Sequence, residues 1–171
     1  MRVVLSAETI AARVAALGAE INRDYAGRKL VVVCTLKGGF VFAADLIRAI
    51  DVPLTVEFLR GETGGGDTMS SGVVRITHEP DMLLAGRDVL LVEDVIDTGQ
   101  SAFQLLEVLR AHKPASLKTC ALLHKPARQV VTVPIHYLGF TIKDDFVVGY
   151  GLDQAGMWRN LPYVGAVDSK G

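Results

Sequence analysis

The chain has 171 residues, half of them hydrophobic and 22% charged, and its 18 basic and 19 acidic side chains leave a net charge of −1. That balance excludes an intrinsically disordered chain. It also argues against a general nucleic-acid or anionic-membrane footprint, leaving room only for a local basic site. The length fits one domain over residues 1–171, able to bury about 70% of its unfolded surface and so needing no disulfide or structural metal.

In chain order, Ser6 is a helix cap, and Ile10, Val14, Leu17 and Ile21 recur at three- and four-residue intervals, which predicts a helix with one buried stripe to about Asn22. Leu30 to Leu36 is a continuous apolar run, the pattern of a strand buried on both faces. Gly38 and Gly39 end it, and a second helix is predicted over residues 40–50, with Phe40, Ala43, Ala44, Ile47 and Ile50 on its apolar side. Pro53 opens a strand over residues 54–60. The next twelve residues, 61–72, hold five glycines and read as a mobile loop. Further strands are predicted at 73–76, 88–95, 117–123 and 136–138, with a helix at about 101–111, a core strand at 146–150 and a short pairing strand at 164–167. Strands alternating with helices predict an α/β fold around a parallel sheet, whose ligand edge is the carboxyl end of the strands.

The two cysteines, Cys34 and Cys120, lie inside apolar runs and read as buried reduced thiols. With no secretory leader at the start of the chain, this points to a reducing, cytoplasmic setting. Mean hydropathy is +0.32, yet charges interrupt every apolar stretch well before a membrane span of about 18 residues.

Chemistry concentrates at residues 92–101. A buried strand runs into Glu93 and Asp94, then two apolar residues, then Asp97, Thr98, Gly99, Gln100 and Ser101, where a helix begins. Three carboxylates within five residues repel one another, and burial raises the cost. A site that tolerates them holds a cation or hydroxyl-rich ligand. The turn from Asp97 to Ser101 presents free amide donors at a helix N-terminus, an anion cradle distinct from the Walker pattern.

This block is similar to the phosphoribosyl-pyrophosphate motif of type I phosphoribosyltransferases, and most resembles the hypoxanthine(-guanine) members. The likeness continues in order through Leu36-Lys37-Gly38-Gly39-Phe40, His124-Lys125-Pro126, the block from Phe146 to Asp153, and Arg159-Asn160-Leu161-Pro162-Tyr163. It implies a parallel sheet flanked by helices, a small hood built from the chain ends and a flexible loop. It also implies a purine-salvage transferase that moves a 5-phosphoribosyl group from phosphoribosyl pyrophosphate to a 6-oxopurine, with Mg2+ as cofactor and a homodimeric or homotetrameric assembly.

By that resemblance, Glu93 and Asp94 serve the ribose hydroxyls and magnesium. Asp97, Thr98, Gly99, Gln100 and Ser101 bind the 5-phosphate, and Asp97 is the catalytic acid or base. Lys37, Gly38 and Arg159 bind pyrophosphate. Lys125, Phe146, Val147 and Asp153 bind the purine, and Asp153 holds a second magnesium. The resemblance also implies a cis peptide at Lys37–Gly38. One departure stands out: the family's loop carries a Ser-Tyr pair where this chain has Thr63 and Gly64. Two alternatives stay open, a xanthine-guanine-type transferase and a regulatory nucleotide-binding protein on the same fold. The latter calls for a basic face, and the sequence has no lysine/arginine cluster.

Overall fold

The computed structural model describes residues 1–63 and 73–167. In chain order the elements are β1 (Arg2–Leu5), α1 (Ala7–Asp24), β2 (Leu30–Leu36), α2 (Phe40–Arg48), β3 (Leu54–Thr63), β4 (Val74–His78), β5 (Asp88–Ile96), α3 (Gln100–Ala111), β6 (Ser116–His124), β7 (Tyr137–Thr141), β8 (Val147–Val148) and β9 (Val164–Ala166). Six strands form the main sheet in the order β4-β3-β2-β5-β6-β7, with only β4 antiparallel to its neighbour. The chain ends supply the rest: β1, β9 and β8 pair antiparallel into a separate three-stranded hood.

Two apolar layers sandwich the main sheet. Leu30, Val32 and Cys34 of β2, with Leu90 and Val92 of β5, face α1 and α2. The alternate residues Val31, Val33, Val89 and Leu91 face α3. This is the period-two alternation of strands covered on both sides, which the unbroken apolar runs announced. Truncating a leucine at this depth costs about 2–5 kcal/mol. Helix α1 starts as expected, with Ser6 Oγ accepting from the Thr9 amide at 3.2 Å, and it buries the predicted stripe plus Gly18. A Cβ at Gly18 would lie 2.4 Å from the Ala49 carbonyl oxygen, so the glycine lets α1 approach the end of α2.

Several expectations change. Helix α2 buries Phe42, Ala43 and Leu46 and leaves Phe40 exposed, because a segment apolar almost all round carries no readable stripe and packing selects the face. Residues 61–63 belong to β3 and pair with β4, so the glycine-rich segment begins later than predicted; the remainder of the expected loop, 64–72, lies outside the described residues. The expected strand over 146–150 shrinks to Val147–Val148 and joins the hood, not the main sheet, because the chain turns at Gly149 (φ +94) and Tyr150 (φ +52). Strand β1 carried no signal of its own. Both cysteines are free and buried, and burial pushes the Cys34 thiol up to about 12 and Cys120 further in the same direction. No helix among the described residues is long and apolar enough to cross a membrane.

Candidate active site

The chain reverses its direction of winding between β2 and β5. From β2 it proceeds to β3 and β4 on one side, and from β5 to β6 and β7 on the other. Helix α2 follows β2 on one face of the sheet, and α3 follows β5 on the opposite face. At such a switch point the connections diverge and leave a crevice at the strands' carboxyl ends. The crevice is present: a cleft of about 690 Å³ lies there, lined from β2 by Thr35, Lys37 and Gly38, from β5 and its turn by Glu93, Asp94, Asp97, Thr98, Gly99 and Ser101, from the β3 end by Gly61 and Glu62, and from the hood by Asp153 and Arg159.

The β5 side is built from the sheet outward. Its ladder with β2 ends at Cys34 opposite Val92, while its ladder with β6 continues to Ile96. Glu93 and Asp94 therefore stand where one neighbour strand has departed. Glu93 is only 6% exposed and accepts a hydrogen bond from Thr35 Oγ1 at 2.8 Å. Burial, and then the charge of Asp94, push its carboxyl up to about 8. Burial also raises Asp94, against the opposing pull of its bond from the Val95 amide (2.8 Å) and of the Arg159 guanidinium. Two adjacent acids held above their ordinary range form a site that a cation or a positively charged transition state would stabilise.

The turn into α3 is tied down on its outer side. Gly99 (φ +81) is the α3 cap, where a Cβ would lie 2.0 Å from the Val131 carbonyl oxygen. The Val130 and Val131 amides both donate to Thr98 O at 2.9 Å, and the Thr98 amide donates to the Asp97 carboxylate. The first turn of α3, with unpaired amides intrinsic to any helix start, opens into the cleft at Ser101 and Ala102. Gln100 does not line the cleft; its amide donates to Thr98 Oγ1 at 3.4 Å. The opposite wall is Lys37–Gly38. The cis peptide is Leu36–Lys37, one bond before the one the resemblance implied. A Cβ at Gly38 would lie 1.6 Å from Asp94 Oδ2, and one at Gly151 (φ +99) would lie 2.3 Å from Gly38 O. The Asp94 carboxylate thus demands a glycine at 38, and the Gly38 carbonyl demands one at 151, where the hood backbone passes.

The hood loop carries Asp153 and Arg159, which bond each other: Arg159 Nη2 is 2.8 Å from Asp153 Oδ1, and its Nη1 donates to Gly151 O at 2.6 Å. Among the described residues no three His, Cys, Asp or Glu side chains gather closely enough to cage a metal, so Glu93, Asp94 and Asp153 do not form one shared centre. This arrangement fits magnesium, which binds through one or two carboxylates together with substrate phosphates and water, not through a full protein cage.

Of the expected purine contacts, Lys125, Phe146 and Val147 stand outside the cleft lining. Lys125 follows β6, is 7% exposed, and donates from Nζ to the Asp145 carbonyl at 2.8 Å. That carbonyl immediately precedes Phe146, which is half-exposed, while Val147 is buried in β8. Sequence reasoning passed over Thr35 and Arg128. Arg128 ends a short 3₁₀ turn (Pro126–Arg128), with Nε 3.7 Å from Asp97 Oδ2 and Nη1 3.3 Å from Asp144 Oδ1. It links the phosphate turn to the segment preceding Phe146. The Lys-Pro start of that turn was the one available signal.

A cleft at the strands' carboxyl ends, with acids on one strand end and a helix N-terminus beside them, defines a transferase of the phosphoribosyl class, and the phosphoribosyl transferase domain matches residues 4–155. The chain belongs to the phosphoribosyltransferase family. More particularly, it is 45% identical to a hypoxanthine-guanine phosphoribosyltransferase of Mycobacterium avium over 98% of this chain and 86% of that one. It is 44% identical to a hypoxanthine phosphoribosyltransferase of Haemophilus influenzae, over 96% of this chain and 94% of that one. A crystal structure of a hypoxanthine-guanine phosphoribosyltransferase from Bacillus anthracis superposes with a TM-score of 0.93 at 41% identity, covering 98% of both chains.

Proposed function

We propose that this protein is a purine-salvage enzyme that transfers the 5-phosphoribosyl group of phosphoribosyl pyrophosphate to hypoxanthine, and also to guanine, over a single domain spanning residues 1–171. The observation that carries the reading is the pairing of buried Glu93 and partly buried Asp94, both raised above the ordinary carboxylate range, with an open helix N-terminus across one cleft. A sugar phosphate has the matching chemistry: an anion at one end, hydroxyls in the middle, and positive charge developing on the ring as the leaving group departs.

The purine 9-nitrogen attacks the ribose carbon, and the bond to pyrophosphate breaks with its electron pair leaving on pyrophosphate oxygen. Asp97 takes the proton released from the purine 7-nitrogen. Thr98, Gly99 and Ser101 hold the 5-phosphate, while Lys37, Gly38 and Arg159 hold pyrophosphate. Glu93 and Asp94 lie against the ribose hydroxyls. Lys125 donates to the purine 6-oxo group, Phe146 stacks on the ring, and Val147 and Asp153 serve its far edge. Magnesium would neutralise charge on the leaving pyrophosphate; Glu93 and Asp94 are the residues that would hold one ion, and Asp153 a second. The Arg159–Asp153 pair must loosen for both residues to take up these roles.

The family reading carries a cytoplasmic homodimer or homotetramer that binds neither nucleic acid nor membrane. An apolar groove between α1 and α2 supports a subunit contact. It comprises two hollows of about 360 and 300 Å³ that share Ala11 and Asp45.

The test is an absorbance assay with phosphoribosyl pyrophosphate, magnesium and each of hypoxanthine, guanine, xanthine and adenine. Turnover is expected with the first two and negligible with adenine, because an ammonium facing an amino group loses its acceptor. EDTA abolishes the activity and added magnesium restores it. Lys125→Ala narrows the hypoxanthine-to-adenine ratio by roughly 10-fold or more. Adenine turnover equal to hypoxanthine in the wild type refutes the assignment.

A further inference from the structure

We infer that Thr35 is a positioning residue for Glu93, holding its carboxylate in the orientation that receives the ribose. The inference rests on the reading of Glu93 given above and adds a residue that no motif contains. Thr35 is the first residue of β2 beyond the last β2–β5 pair, Cys34 opposite Val92, so it sits in the fork where the two central strands separate. It is 6% exposed and lines the cleft. Its hydroxyl lies 3.0 Å from Val92 O and 2.8 Å from Glu93 Oε2. A Cβ at Gly39 would come within 3.1 Å of the same hydroxyl, so the glycine there leaves the hydroxyl its place beside Glu93. Among the described residues no other side chain bonds the Glu93 carboxylate.

A purely structural threonine would need only the Val92 carbonyl. This hydroxyl has one proton, and a carboxylate is the stronger acceptor of the two. It also keeps two acceptor lone pairs, so it can bond Glu93 whether or not that acid carries a proton. Valine has the same shape without the hydroxyl, and serine has the hydroxyl without the methyl. Freed from Thr35, the Glu93 side chain regains rotamers that do not meet the ribose, a misplacement that weakens the sugar substrate and its transition state but not the purine.

The experiment is a double-mutant cycle in the intact protein, with steady-state kinetics and thermal melts on the wild type, Thr35→Val, Thr35→Ser, Glu93→Ala and Glu93→Ala/Thr35→Val. Thr35→Val is expected to lower kcat/KM for phosphoribosyl pyrophosphate about 10-fold, with KM for hypoxanthine unchanged. Thr35→Ser recovers most of the loss. In the Glu93→Ala background the Thr35→Val change has no further effect on kcat/KM. An equal penalty with and without Glu93, or a Thr35→Val enzyme within twofold of the wild type, overturns the inference while leaving the role of Glu93 intact. Wild-type activity in Glu93→Ala overturns that role itself, and Thr35 falls with it.

Discussion

The two walls of the cleft are built in opposite ways. Glu93 and Asp94 prolong β5, whose Val89 to Val92 are fully buried and paired on both sides, by β2 and by β6. Asp153 and Arg159 hang from a hood of strands four, three and two residues long. They lie on a loop with left-handed φ at Gly149, Tyr150, Gly151, Ala155, Gly156 and Trp158. The non-glycine members of that set each cost on the order of 1 kcal/mol or more, and the loop is held by local bonds such as Arg159 to Gly151 O. The sheet wall draws on the whole core for its rigidity, whereas the hood reaches that core through Val147, Tyr150, Leu152 and Val164, and Asp153 and Arg159 stand beyond them on a loop held by local polar contacts. Groups that must meet a developing charge belong on the rigid wall. Groups that admit one substrate and release another product belong on the wall that opens at low cost.

The sharpest way to break this contrast is at Gly38, where the two walls touch. A Cβ there would collide with Asp94 Oδ2 and displace the Lys37–Gly38 turn against the hood. Gly38→Ala should lower kcat/KM by about 10²-fold or more while the melting temperature moves little. A variant with near-wild-type kinetics would mean that the turn relaxes freely and that the wall is less rigid than its burial implies.

Asp97→Asn comes next. The side chain keeps its size and can still accept from the Thr98 amide, so affinity for phosphoribosyl pyrophosphate by calorimetry should hold. Single-turnover chemistry should slow by roughly 10²-fold. Unchanged chemistry would remove Asp97 from proton transfer.

A smaller, pH-dependent effect tests the burial of the rigid wall. The Glu93 carboxyl rises from an ordinary value of 4.5 to about 8 on folding. Between those pH values the folded chain keeps a proton that the unfolded chain releases, so each step up in pH favours unfolding. The wild type should therefore lose stability as pH rises from about 5 to 8 in the absence of substrate and metal. Glu93→Gln, with no proton to lose, should gain on it across that window. Melting curves that stay parallel at every pH would show Glu93 to be solvated.

The smallest effect is expected in the hood. Arg2 reaches Asp145 at 3.0 Å, but the arginine side chain is 61% exposed. Such a pair contributes about 0–1 kcal/mol and is screened by salt. Arg2→Ala should shift a chemical-denaturation midpoint barely, and less at 0.5 M salt. A large shift would make the hood a stabilising unit in its own right, and the two walls would no longer differ in kind.

What the sequence determined by itself was whatever local pattern encodes. Leu30 to Leu36 and Val89 to Val92 are apolar without interruption because both their faces are covered, and Ser6 announced α1 because a hydroxyl before an apolar period satisfies a helix's first amides. The row from Glu93 to Ser101 was legible as a cation-and-phosphate edge because its carboxylates, glycine and hydroxyls lie within one strand-to-helix turn. The stripe of α2, the transfer of Val147–Val148 to the hood, and the partners of Glu93 and Asp97 were decided only by the tertiary structure. Thr35 and Arg128 are ordinary residues in their own segments. They acquire a role because strand order brings β2 beside β5 and the Pro126–Arg128 turn beside the phosphate loop, and contacts between segments so distant in the chain leave no periodicity for the sequence to display.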